Sequence, residues 1–380
     1  MHPSLGSRDR RSVALRRCCP QAADPPVPDQ GRISAMQGLE RLARRTGGYV
    51  TTQAAEDLGY GTNELGDLVE RALLVRVRRG AYAIARSYAA LPPREAHLVT
   101  ARHALAARGP GHAVTHDSAV LLHGLTKDAL DLPDGRLDLD AVHLARTGGT
   151  TSRRSNRIHV HRDALLPTDV TTVDLLPTVR AELAVTQVMS SRPLAVGAVV
   201  ASSWLAGQRH EARVRGMVEE FDEQASKAEL AEALGRLGRR AGVRTARDAL
   251  EVADAGCENA AEVLVLLTCW SYDLPRPLTQ YPLDLPDRRA EVDFLWPDVR
   301  MVLEFDGKGK YEDEVAQDGR VIRSGKQKLW AEKVREDAIR GLGYHVVRIG
   351  WDDVLPHNRE RTAARIRREL AYAARLARRR

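Results

Sequence analysis

The chain has little cysteine, little lysine and no long apolar run. Four Cys among 380 residues do not make a disulfide framework. Cys18 and Cys19 are adjacent, Cys257 and Cys269 stand apart, and no CxxC or Cys/His spacing of a zinc motif occurs. No apolar stretch approaches the ~18 residues of a membrane helix; the one around Val263–Leu267 is far too short. The N-terminus is basic but lacks an apolar h-region, so it is a poor secretory signal. These absences point to a reduced, soluble, cytoplasmic protein with no membrane partner. The apolar fraction of 43% suffices for real cores and excludes global disorder. At roughly 100–200 residues per domain, the length implies two or three domains.

A formal charge of +7 and a pI near 9.4 invite a nucleic-acid reading. The charge is uneven, however. Residues 1–35 hold six Arg and three Asp, and residues 358–380 hold nine Arg and two Glu. The body between them is slightly acidic, with 43 basic and 46 acidic residues. A basic tail can supply sequence-independent phosphate contacts, and a solvated helix face explains it equally well. Only seven of the 58 basic residues are Lys, yet five of these, Lys308, Lys310, Lys326, Lys328 and Lys333, fall close together. Such clustering suggests a use for compact ammonium groups, with chance as the alternative.

Residues 1–35 show no apolar periodicity and read as a disordered leader, with Met36 as an alternative start. From 36 to 88 the pattern is tight: a short helix from Leu39, a helix capped by Thr51 or Thr52, a Gly59–Gly61 turn, and a helix from Thr62 to Arg71. A hairpin follows around Arg79-Gly80. That order is a winged helix-turn-helix. The run TGGYVTTQAAEDLGYGTNELGDLVERALLVRVRRGAYAIA resembles the N-terminal domain of AbiEi-type abortive-infection antitoxins. The resemblance implies a transcriptional repressor that binds its own operator, with a genetically linked toxin as partner. Thr62 and Asn63 lie where base-edge contacts are made. Arg71 and the wing residues Arg76, Arg78 and Arg79 would hold phosphates. Glu64, Asp67 and Glu70 oppose this, which keeps a protein-contact role open.

Residues 95–205 read as an α+β region, and VTHDSAVLLHGL, VHLAR, IHVHRDAL and LPTVRAELAV resemble the middle of the same antitoxin-like family. His159 and His161 share a strand face, but no third ligand is apparent, which favours a structural role. Residues 206–250 read as a helical connector packed on one face.

The sharpest signal lies in 251–357. Ala290–Leu295 and Met301–Asp306 read as paired strands, the second apolar enough for a sheet centre. Asp293 and Glu304 are 11 residues apart across a tight hairpin, which can place their carboxylates side by side. Buried carboxylates without compensation cost several kcal/mol, and a divalent cation removes that cost. Hard oxygen ligands suit Mg²⁺, or Mn²⁺, and metal-assisted phosphodiester hydrolysis fits the set. GCENAAE, LPRPLTQ, EVDFLWP, EFDGKGKY and EKVREDAIRGLGYHVVRIGWDDV resemble the PD-(D/E)XK nuclease superfamily, and more narrowly its very-short-patch-repair-like endonucleases. The resemblance implies Asp293 and Glu304 as metal carboxylates and Glu258 as the acid from the first helix, with Gln280 a weaker candidate. Asp306 stands where the superfamily has lysine, as a third ligand or base, and Lys308 or Lys310 would take the lysine's role. Lys333, Arg335 and Asp337 could face phosphates, or form a surface ladder with Glu332. Residues 311–326 read as a loop at the mouth of the site.

The expected architecture is a multidomain α+β chain. It has an N-terminal winged helix, a middle α+β region, a C-terminal α/β mixed-sheet, restriction-endonuclease-like domain, and a basic C-terminal helix over 358–380. The expected function is DNA binding with a Mg²⁺-dependent endonuclease domain. The alternatives are a repressor or antitoxin with a catalytically silent nuclease fold, and a protein-interaction module. Homodimerisation is compatible with either module.

Overall fold

The structure, a computed structural model, describes residues 30–126, 129–148, 151–155, 157–238, 240–286, 288–306, 314–315, 321–323 and 325–379. It is mixed α and β throughout, with helices and strands gathered around several separate sheets. Among the described residues no helix is long and apolar enough to cross a membrane.

The N-terminal elements are α1 (Gln30–Thr46), β1 (Val50–Thr51), α2 (Thr52–Glu56), α3 (Thr62–Glu70), β2 (Leu74–Arg78), β3 (Ala81–Ile84) and α4 (Ala85–Ala89). Helix α1 begins ahead of Met36, inside the stretch expected to be a leader. Leu39 and Ala43, one helical turn apart, pack with Val50, Leu65 and Tyr82 in a small core of their own. Thr51 caps α2, its side chain accepting the Ala54 N–H at 3.1 Å. The three strands are ordered β1-β3-β2, and Gly80 turns the β2–β3 hairpin at φ +76°.

The middle elements are α5 (Pro93–Arg108), β4 (His112–Val114), α6 (His116–Leu122), β5 (Val142–Thr147), β6 (Arg153–Ser155), β7 (Ile158–Leu165), β8 (Val170–Val173), β9 (Leu176–Val179), α7 (Ala181–Ser191), α8 (Leu194–Val214), α9 (Glu223–Arg236) and α10 (Val243–Val252). The strands form one six-stranded sheet ordered β6-β7-β5-β4-β9-β8, with β5/β7 and β4/β9 parallel. Helix α8 runs through the boundary expected at 205/206 and is buried along Ala195–Leu205. It crosses α7 closely: a Cβ on Gly197 would lie 3.1 Å from the Met189 Cα. Residues 206–250 are therefore more than a connector, since Leu230, Leu234, Ala246 and Ala249 belong to the main core.

The C-terminal elements are α11 (Ala260–Ser271), β10 (Leu278–Asp284), β11 (Arg289–Trp296), β12 (Met301–Asp306), β13 (Glu314–Val315), β14 (Val321–Arg323), α12 (Gly325–Gly341), β15 (His345–Gly350), α13 (Trp351–Val354) and α14 (Arg359–Ala377). The main sheet is ordered β10-β11-β12-β15; its first three strands are antiparallel, and β12 and β15 are parallel with α12 in the crossover. Met301, Val302, Leu303 and Phe305 are all buried on β12. Each such side chain contributes roughly 1.5–3 kcal/mol. The stretch expected as a plain loop contains the antiparallel pair β13–β14.

One continuous core runs from Leu98 of α5 to Ala373 of α14, so the middle and C-terminal sheets share their packing. Helix α14 buries Thr362, Ala363, Ile366, Leu370 and Ala373 on one face. Its first arginine does not face solvent: Arg359 is buried and holds Asp134 through two bonds of 2.5 Å. Part of the C-terminal basic charge is thereby spent inside the molecule.

Candidate functional site

Two surfaces carry the candidate residues. On the N-terminal unit, Thr62 and Asn63 are exposed at the start of α3, and Arg71 follows its end, also exposed. Glu64 bends back to accept the Gly61 N–H at 2.6 Å, so this acid serves as a helix cap. Asp67 and Glu70 remain exposed on α3. Arg76 and Arg79 are exposed on and beside β2; Arg76 lies over the Tyr82 ring, 5.4 Å from its centre. Arg78 corrects the expectation. Its side chain is buried, with Nη1 3.0 Å from Nδ1 of His103 on α5. The β2–β3 register shifts between Arg76 and Arg78, which breaks the period-two alternation and turns Arg78 inward, where it joins the N-terminal unit to α5.

The second surface is the acidic centre of the C-terminal sheet. The β11–β12 ladder runs Trp296↔Met301, Leu295↔Val302 and Phe294↔Leu303. The next facing residues are Asp293 and Glu304. There the Asp293 carboxylate accepts the Phe305 N–H at 2.7 Å. Glu304 is buried, and its Oε2 accepts from Arg335 of α12 at 2.6 Å. Arg335 also donates to the Glu291 carbonyl at 3.0 Å. The Glu332/Arg335 pair of the alternative ladder is not formed: Arg335 reaches into the sheet and Glu332 pairs with Arg348 of β15, while Glu336 bonds both Arg348 and, within α12, Arg340. Lys333 and Asp337 are exposed on α12. Asp306 ends β12, half-buried beside Gly350 of β15. Lys308 and Lys310 lie outside the described residues.

Helix α11 supplies an acid that the sequence reading missed. Glu262 is buried within an otherwise apolar helix face. It accepts from the Glu258 N–H at 2.7 Å and the Asn259 amide at 2.6 Å, while Asn259 caps the helix. Burial pushes the Glu262 carboxyl up to about 7, and the negative charges of Asp293 and Glu258 add to the shift. Gln280 of β10 opposes this with a side-chain hydrogen bond to Glu262. Gln280 is buried at φ +43°, a left-handed backbone for a non-glycine residue. Its position falls between the Thr279↔Phe294 and Tyr281↔Val292 pairs, in line with Asp293. Glu258 is corrected accordingly: it precedes the helix, is exposed, and contributes its backbone N–H, while Glu262 is the buried helix acid. The visible signal was a lone acid three residues after Asn in AAEVLVLL.

A cleft of about 330 Å³ opens beside this centre, lined by Glu258, Gln280 and Glu291 and by Arg209, His210 and Arg213 of α8. Glu258, ahead of α11, and Glu291 of β11 therefore share this cleft with the basic side chains of α8. Among the described residues the acids of this centre do not bring three carboxylate oxygens within 4.8 Å of one another.

Residues 38–85 match the family model of transcriptional regulators described as AbiEi antitoxin. That match covers α2, α3, both wing strands and the C-terminal half of α1. Two proteins of Mycobacterium tuberculosis, "Uncharacterized protein Rv2248" and "Uncharacterized protein MT2308", are each 31% identical over 153 residues. The aligned part is 40% of this chain and 51% of each relative. The chain thus spans about half the length of the curated relatives it matches. The N-terminal unit is thus similar to the AbiEi antitoxin regulators.

The histidine reading is also corrected. His159 and His161 were expected to lack a third ligand, but β5 lies parallel to β7 with His143 directly opposite His159. The signal was present as one His in VHLAR and two at alternate positions in IHVHR. Which two segments would become neighbours was not readable from either alone.

Proposed function

We infer that the chain is a DNA-binding transcriptional regulator of the AbiEi-antitoxin kind, with residues 36–88 acting as a winged helix. One observation carries this reading. The segment similar to that regulator family exposes Thr62 and Asn63 at the start of α3, beside exposed Arg76 and Arg79. In such a unit the N-terminal residues of the recognition helix read base edges, and the wing arginines hold phosphates. DNA upstream of the protein's own gene is the substrate class, and a linked toxin is the partner that the antitoxin reading supplies. The test is binding of the full chain to that DNA across a salt series. A specific complex whose affinity falls steeply with salt supports the reading. Equal affinity for unrelated DNA, or none, counts against it.

A second reading rests on the acidic centre. The order β10-β11-β12-β15, with α11 before it and α12 in the crossover, supports a PD-(D/E)XK-like fold. Asp293, Glu304 and Glu262 would hold Mg²⁺, with Asp306 at the strand end. When bound, the ion would activate water and stabilise charge on a phosphodiester. Arg209 and Arg213 would orient the phosphate backbone, and Gln280 would hold Glu262 in place. The Arg335–Glu304 pair favours the silent form of this fold, because a guanidinium already offsets one of the carboxylates. Nicking of supercoiled plasmid with Mg²⁺ or Mn²⁺, lost in Asp293→Ala, supports cleavage; intact plasmid in both metals sinks it.

A further inference from the structure

Away from both surfaces, the middle sheet gathers four imidazoles. The parallel register of β5 and β7 pairs His143 with His159 and Ala145 with His161. Side chains two residues apart on a strand share a face, so His143, His159 and His161 project to one side of the sheet. One ring nitrogen from each lies within 4.8 Å of the others. Nitrogens around one tetrahedral ion with bonds of about 2.0–2.1 Å stand about 3.4 Å apart, so small ring rotations close the set.

The surroundings separate a ligand site from a satisfied histidine core. His143 is fully buried, with Nε2 on the Asp138 carbonyl at 2.9 Å and Nδ1 2.7 Å from His161 Nε2. A backbone carbonyl holding the outer nitrogen is the usual support for a ligating imidazole. Those bonds account for two rings. The third has an atom to spare: His159 Nδ1 is buried and has no hydrogen-bond partner among the described residues. Burial holds all three rings in the neutral form that ligates, with His161 pushed down to about 2 and His159 to about 4. The nearby cation is already neutralised, since Arg192 makes two bonds to buried Asp117, at 2.7 and 3.0 Å. His116, in left-handed backbone at φ +49°, stacks on His161 with ring centres 3.5 Å apart and covers the group. His159 and His161 are half-buried, which leaves an entry path from solvent.

We propose that His143, His159 and His161 form a three-histidine site for one borderline divalent cation, Zn²⁺ first among them, with a coordination position left for an exchangeable ligand. An all-nitrogen set excludes Mg²⁺ and Ca²⁺, which take oxygen ligands, so this site is distinct from the acidic centre in chemistry as well as place. The ion would tie β5 to β7 and stabilise the middle sheet by linkage.

The test uses the full chain without a polyhistidine tag, stripped with chelator and titrated with Zn²⁺ against a chromophoric competitor. Co²⁺ serves as the spectroscopic probe. The expected result is about one equivalent bound per chain, visible Co²⁺ bands of a four-coordinate site, and a raised unfolding temperature. Binding should be lost in His159→Gln/His161→Gln and kept in Asp293→Asn. If the double variant does not fold, His159→Gln alone, at a half-buried position, replaces it. No uptake of Zn²⁺ or Co²⁺ by the folded wild-type chain overturns the proposal. So does uptake that survives loss of the histidines.

Discussion

The Arg335 guanidinium lies 2.6 Å from the carboxylate of Glu304, a residue buried at the centre of the C-terminal sheet. The contact joins the crossover helix to the strand that carries the candidate chemistry. It also sets up a competition, because one carboxylate can be offset by this arginine or by a cation.

Replacing Arg335 should show which role dominates. Arg335→Ala removes the compensating charge and should destabilise the fold by about 3–5 kcal/mol in urea unfolding. Mg²⁺ should raise the unfolding midpoint of this variant more than that of wild type. A stability change under about 1 kcal/mol would show that the pair is incidental.

Asp293 has a structural task besides any metal. Asp293→Ala removes the acceptor of the Phe305 N–H and should cost about 1–3 kcal/mol. Asp293→Asn keeps a carbonyl acceptor and should cost less. Equal losses in the two variants would show that the charge, not the hydrogen bond, matters at this position.

The three wing arginines should separate in a salt series. Arg76→Ala and Arg79→Ala should each lower the slope of log affinity against log salt by about 0.9. Arg78→Ala should leave the slope alone and lower thermal stability, because its side chain is buried against His103. A reduced slope in Arg78→Ala would place that side chain on the DNA.

His103 predicts a pH dependence. Burial first, then the Arg78 charge, push its imidazole down to about 4. Between that value and the ordinary 6.5 the unfolded chain binds the extra proton, so its contribution to stability falls as pH drops from 6.5 towards 4. His103→Gln should flatten this part of the profile of unfolding midpoint against pH. An unchanged profile would remove His103 from the account.

Local pattern made much of the molecule legible. Thr51 capping α2, the Gly80 hairpin and the apolar strand Met301–Asp306 follow from capping chemistry, turn chemistry and period two. Asp293 and Glu304 could be placed near each other because only a tight hairpin separates them. Glu262 was harder to see, because an acid inside an apolar helix gains meaning only when the sheet it faces is known. Glu332 and Arg335 behaved likewise: spacing on α12 suggested that they pair with each other, whereas Arg348 of β15 and Glu304 of β12 are their partners.

By itself the sequence determined the mixed α and β character, the family likeness of residues 38–85 and the concentration of acids on β11 and β12. These depend on neighbours in the chain, where backbone geometry dictates which side chains share a face. Only the tertiary structure decided that Arg78 points inward, that Glu262 joins Asp293, and that His143 meets His159 and His161. Each of those contacts joins separate elements, and the parallel register and burial that create them are properties of the packed chain.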